Sequence, residues 1–342
     1  MARVRNWWSH SKTVVLIWLT SALLFYFGLQ FVLRNSSLNY PSAVPTMSDS
    51  ERRSKLYDKM ESDLNEHGAA FLEHGETSQS LSLSDLFTLK DGIVTPVLKA
   101  AKPPVRANVL YLSTEFSVPI SEAVKSIFSP YFDKVIWFQN SSLYHFSMFH
   151  ASHHITPVPA AEVEIEAEAT AVEAVAKALC PLKIVLDRVL LTSTGVLLGC
   201  WQVASGTDPV TIRAKLRTAL PRAPKNQLGR RGKPLKYTLG SRKRMMYDNA
   251  ILHTSFARLL GPPKFSPTEL HKASDQLQFF HELVARLNNI IRGFEADVSE
   301  LWYVEEYDVL ALALNGRMKV RRFKLTASKS ETSEDHKVEG KA

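Results

Sequence analysis

From Thr13 to Leu33 the chain reads TVVLIWLTSALLFYFGLQFVL, with no formal charge and Gln30 as its only strongly polar side chain. At the helical rise this run spans roughly 31 Å, the thickness of a bilayer's hydrocarbon core. A buried helix of a soluble domain would show a polar stripe, and none is present. A cleaved leader would have a shorter apolar stretch and a small-x-small cleavage site, and no convincing one follows Leu33. The run is therefore predicted to be a transmembrane signal anchor. Arg3, Arg5 and Lys12 precede it, against Arg34 alone just after it. That bias predicts a cytosolic tail at 1–12 and the bulk of the chain in the ER or Golgi lumen or outside the cell, with the membrane as partner through residues 13–33.

Behind the anchor, 45% hydrophobic and 22% charged residues fit a globular domain with a sizeable core. The net charge of +8 favours anionic partners such as phosphates, nucleic acid or a membrane surface. Residues 34–104 read as a stem, with a charged, weakly periodic helix around Ser48–Glu66 and a polar, serine-rich stretch at Glu73–Ser84. Residues 326–342 read as a disordered tail. Asn35 and Asn140 each begin a glycosylation sequon, as expected of a luminal glycoprotein. Cys180 and Cys200 are the only cysteines. They could pair in an oxidising compartment or remain two unpaired small core residues.

Between residues 105 and 325 one pattern occurs twice. Leu143–Phe149 alternates like a strand, a helix follows at Ala161–Leu179, and Lys183–Leu191 and Val196–Ala204 flank a TSTG turn. Leu252–Leu260 again reads as a strand. A helix opened by Ser266 and Pro267 follows to about Phe294, then strands near Glu300–Val304, Asp308–Leu314 and Met318–Leu325, the last two joined by Asn315-Gly316. Asn108–Ser113 and Val135–Gln139 add strands flanking a helix at Ser121–Phe128. The predicted class is α+β, two-lobed and duplicated, each lobe an antiparallel sheet with helices.

The first motif strand carries His145-Phe146-Ser147 and the second His253-Thr254-Ser255. Residues i and i+2 of a strand share a face, so each histidine is placed beside a serine. Two such strands across a cleft would present two imidazoles and two hydroxyls to one small volume. Phosphodiester cleavage needs a base for the attacking oxygen and an acid for the leaving one, and imidazoles serve as either near neutrality. The hydroxyls would hold the non-bridging phosphate oxygens.

The segments Leu143-Tyr144-His145-Phe146-Ser147-Met148-Phe149 and Ile251-Leu252-His253-Thr254-Ser255-Phe256-Ala257 resemble the paired His-x-Ser/Thr motifs of the two-histidine phosphoesterase superfamily. That superfamily includes RNA ligase-like proteins and cyclic nucleotide phosphodiesterases. The resemblance covers about Val105–Leu325. It implies hydrolysis or transfer at 2′,3′-cyclic or 2′–5′ phosphodiesters of RNA or nucleotide origin, with no metal and no cofactor. It assigns His145 and His253 as catalytic acid and base, and Ser147 and Ser255 as substrate-binding residues.

Two other features stand above background. Arg213–Arg244 holds twelve Lys and Arg and no Asp or Glu, readable as a phosphate-gripping lid or as a solvated loop. His150, His153 and His154 follow the first motif and, lacking matched Cys or Asp partners, read as a solvated loop. The acidic run Glu162–Glu173 reads as the exposed face of a helix. Alternatives to an enzyme of this kind are a non-catalytic phosphate- or RNA-binding module on the same fold, and a Golgi glycosyltransferase. The last shares the tail, anchor and stem, but no Asp-x-Asp metal motif occurs.

Overall fold

The computed structural model describes residues 47–73, 75, 77, 81–225, 227, 248–264 and 273–327. The anchor, the Asn35 sequon, the Ser266-Pro267 helix start, most of the basic stretch and the expected disordered tail beyond 327 lie outside these residues. No helix among the described residues is long and apolar enough to cross a membrane.

In chain order the elements are α1 (Asp49–His67), α2 (Ala70–Glu73), α3 (Leu83–Leu86), β1 (Phe87–Lys90), β2 (Ile93–Pro96), β3 (Ala100–Tyr111), α4 (Thr114–Phe132) and β4 (Ile136–Phe138). A 3-10 turn (Ser141–Leu143) leads into β5 (His145–Ser152), followed by α5 (Glu162–Lys177), β6 (Leu182–Leu191), β7 (Val196–Ser205) and α6 (Pro209–Ala219). The last part holds β8 (His253–Leu259), α7 (Ala273–Ile291), β9 (Glu295–Val298), β10 (Glu300–Asp308), α8 (Ala311–Leu314) and β11 (Met318–Lys324). The fold is α+β. A small hairpin pairs β1 with β2, and two larger antiparallel sheets run β11-β10-β3-β5 and β4-β8-β7-β6-β9.

One continuous core joins the inner faces of both sheets. Leu110, Phe146 and Leu301 of the four-stranded sheet, Ile184, Leu197 and Phe256 of the five-stranded sheet, Ile165 and Val172 of α5, Val124 and Phe128 of α4 and Leu283 of α7 all belong to it. Gly199 permits one close approach: a Cβ there would lie 2.2 Å from the ring of Phe256.

The two sequence halves do not each build one sheet. In the first half the motif strand β5 joins the four-stranded sheet and the hairpin β6–β7 the other. In the second half the motif strand β8 lies beside β7, and the hairpin β10–β11 returns to the four-stranded sheet. The TSTG turn is as expected, with Gly195 at φ +80°. The segment near Asp308–Leu314 is not a strand: β10 runs through Asp308, and a helical turn at Ala311–Leu314 ends on Asn315 in the left-handed region (φ 56°). Asn315 therefore stops a helical turn rather than forming a two-residue hairpin loop.

The expected stem holds structure packed on the domain. Arg53, Tyr57 and Leu64 recur along one side of α1 and are buried, and that side lies on β6 and β7. Arg188 of β6 meets Asp58 and Glu61 of α1 at 2.8 and 2.7 Å. The sequence signal was faint because two of these contacts are made by an arginine and a tyrosine, polar ends on long apolar bodies. The acidic run is more than an exposed face: Glu168 of α5 takes the buried Arg106 at 2.7 Å and the Tyr303 hydroxyl at 2.8 Å. Cys180 and Cys200 are both free thiols.

Candidate functional site

Both His-x-Ser motifs lie on strands as the alternation predicted. His145, Ser147, His253 and Ser255 are half-buried, whereas Phe146 and Thr254 between them are fully buried in the core direction. On β5, His145 and Ser147 oppose Tyr111 and Val109 of β3. On β8, His253 and Ser255 oppose Cys200 and Leu198 of β7.

A β-bulge follows the serine of each motif, a feature that leaves no mark in a single sequence. On β5 the register slips at Met148, so that Phe149 opposes Asn108 and His150 opposes Ala107. On β8 it slips at Phe256, and Arg258 opposes Val196. A bulge adds one residue and so reverses the alternation beyond it. His150 therefore joins His145 and Ser147 on one face, and Arg258 joins His253 and Ser255. Strict alternation would have put both on the opposite side.

Arg213 bridges the two motif segments. It opens the basic stretch, but it sits inside α6 and is buried. Its Nη2 donates to Ser147 O (2.8 Å) and its Nε to Met148 O (3.2 Å), at the bulge of β5. Its Nη1 donates to Asn249 O (2.7 Å) and Ile251 O (2.8 Å), on the approach to His253. One guanidinium thus spans from the first motif to the second. Planar, fork-like donors suit this work, whereas an ammonium is a point charge. Sequence reasoning placed Arg213 in a lid or loop because its interior role depends on tertiary neighbours.

The two imidazoles differ in setting. His145 Nδ1 lies 2.8 Å from Leu143 O, which fixes the proton on Nδ1 and leaves Nε2 as the outward nitrogen. Burial lowers the His145 pKa, and the Leu143 carbonyl opposes that shift. Burial likewise pushes His253 down, to about 4, reinforced by the Arg213 charge and by His145 itself. The charge of His145 acts on His253, so the first imidazole lies within electrostatic reach of the second.

The histidines after the first motif are not in a solvated loop. His150 and His153 are buried, and their rings meet edge-on at 4.9 Å; His153 and His154 lie 4.2 Å apart. Burial, then His154 and His145, hold His150 down to about 4. Ile155 N–H donates to His153 Nδ1, so that nitrogen carries no proton. No group of three or more His, Cys, Asp or Glu among the described residues has the arrangement of a metal site.

No protein-family model matches the chain, and no curated protein matches its sequence. Solved structures do align with it. TT0787 of Thermus thermophilus is 13% identical over 65% of this chain and 98% of its own, with a TM-score of 0.39. Escherichia coli LigT complexed with NADP+ is 12% identical over 68% of this chain and 100% of its own, with a TM-score of 0.34. Kluyveromyces marxianus Usb1 with uridine monophosphate is 13% identical over 65% of this chain and 97% of its own, with a TM-score of 0.30.

Proposed function

We propose that this chain is a membrane-anchored phosphodiesterase of the two-histidine type, cleaving 2′,3′-cyclic or 2′–5′ phosphodiesters of RNA or nucleotide origin. The reading, with the duplicated two-lobed plan it implies, is carried by one observation. The two His-x-Ser strands come from different sheets, yet Arg213 holds Ser147 O and Ile251 O on the same guanidinium. In this reading Ser147 and Ser255 hold the phosphate while the imidazoles move protons. His253, facing the Arg213 charge, stays neutral and takes the proton of the attacking oxygen. His145, with a carbonyl on Nδ1, is the better proton carrier and gives the proton at Nε2 to the leaving oxygen.

The deciding experiment is a screen of the purified domain against 2′,3′-cyclic nucleotides and 2′–5′ dinucleotides. It should score turnover rather than binding, because a module that only holds phosphate would bind without cleaving. Turnover of none of these substrates would sink the reading. Proton transfer from the attacking oxygen to one imidazole and from the other imidazole to the leaving oxygen calls for no metal, so activity should survive EDTA. Loss with EDTA and recovery with a divalent cation would reject the mechanism.

The anchor and its orientation belong to the same proposal, motivated by the apolar run at 13–33 and the charge bias around it. With the domain in the lumen, protease added to intact microsomes should spare it. Digestion without detergent would overturn the orientation.

A further inference from the structure

In a regular antiparallel ladder every second opposed pair is hydrogen-bonded, its two residues exchanging both of their N–H···O bonds. Just ahead of His253 one rung departs from this. Trp201 N–H donates to Leu252 O at 2.9 Å, but the return bond is interrupted by the Tyr57 hydroxyl. That oxygen accepts from Leu252 N–H (3.1 Å) and lies 2.8 Å from Trp201 O and 2.7 Å from Leu252 O, donating its single proton to one carbonyl at a time. Tyr57 belongs to α1 and is fully buried.

Residues 248–251 are also held by side chains. Arg53 of α1 donates from Nε to Ala250 O at 2.6 Å and is fixed in turn by Asp208 (2.7 Å) and Gln202 (3.0 Å). Arg52 meets the Asp248 carboxylate at 2.8 Å. Arg213 takes the carbonyls of Asn249 and Ile251. The carbonyls of 249 and 251 are thus held by α6, and those of 250 and 252 are reached from α1.

We infer that Tyr57 and Arg53 are positioning residues for His253, so that the first described helix, α1, sets the place of the second imidazole. The Tyr57 hydroxyl wedges β7 apart from the residue before His253. Without it, Leu252 N–H and Trp201 O can close directly on one another, and the histidine at the next position must shift. The consequence for turnover rests on the phosphodiesterase reading; the placement of His253 does not.

The test uses the full chain with labelled histidine. Tyr57→Phe should fold, and the NMR titration of His253 should move away from its wild-type course. On a cleaved substrate, a shift of about 1 Å in a catalytic group should lower kcat roughly tenfold or more with KM little changed. Arg53→Lys should move His253 in the same way to a lesser extent. Amide exchange of the wild-type chain needs no variant: the Leu252 N–H should be as protected as the paired amides of β7. A freely exchanging Leu252 amide overturns the inference, as does a folded Tyr57→Phe chain with wild-type His253 titration. If the chain cleaves nothing but His253 still moves, the positioning role stands and the phosphodiesterase reading falls.

Discussion

Replacing His145 or His253 with alanine should each cut turnover by about a hundredfold or more, the usual scale for a lost general acid or base. Circular dichroism should show both variants folded, since each ring is half-buried on a strand whose alternate residues carry the core. The wild-type rate should follow a bell against pH, with its maximum on the acid side of neutrality. As pH falls through about 4, His253 gains a proton and the base is lost. As pH rises through the lowered pKa of His145, that ring loses its proton and the acid is gone. Removing one imidazole should flatten one limb, and the double variant should lose little beyond the worse single loss, because the pair acts as a unit. Folded single variants with near-native rates would make the pair structural.

Arg213→Ala should be the most destabilising single change near the site, by about 3–5 kcal/mol, the range found when one partner of a buried charged network is removed. The guanidinium satisfies four backbone carbonyls on two chain segments. Its loss leaves acceptors buried without donors, at about 1–3 kcal/mol each if none relaxes. Arg213→Lys should recover only part of the loss, because an ammonium cannot span both sides of the junction. Thermal unfolding followed by circular dichroism measures this. A midpoint within about 2 °C of wild type, less than 1 kcal/mol for a domain of this size, would show that the two motifs are joined by other means.

The motif strands were legible because a strand has a period of two: a half-buried His-x-Ser flanked by apolar residues declares its open face. The β6–β7 turn was legible because Gly195 supplies the positive φ the turn needs. The bulges at Met148 and Phe256 were not legible, since any apolar residue can be the extra one. For that reason strict alternation would put His150 and Arg258 on the wrong side. Helix α1 was missed as part of the domain because Arg53 and Tyr57 anchor it through polar tips. His150, His153 and His154 were misplaced because polarity suggests solvent, whereas these rings pack against one another and burial lowers the pKa of His150 and His153.

The exchange of strands between the two sequence halves bears on how the chain is made. Synthesis runs from the N-terminus at about 5–20 residues per second, and β3 and β5 emerge long before β10 and β11. Until then the strand carrying His145 can form only a two-stranded ribbon, which is marginal in water. The five-stranded sheet likewise gains β8 and β9 only after the first hairpin has waited for them. Neither sheet can be completed until the C-terminal strands have emerged, and such long-range pairings tend to slow folding. A growing chain would therefore present unpaired strand edges, templates for wrong pairing, for most of its translation.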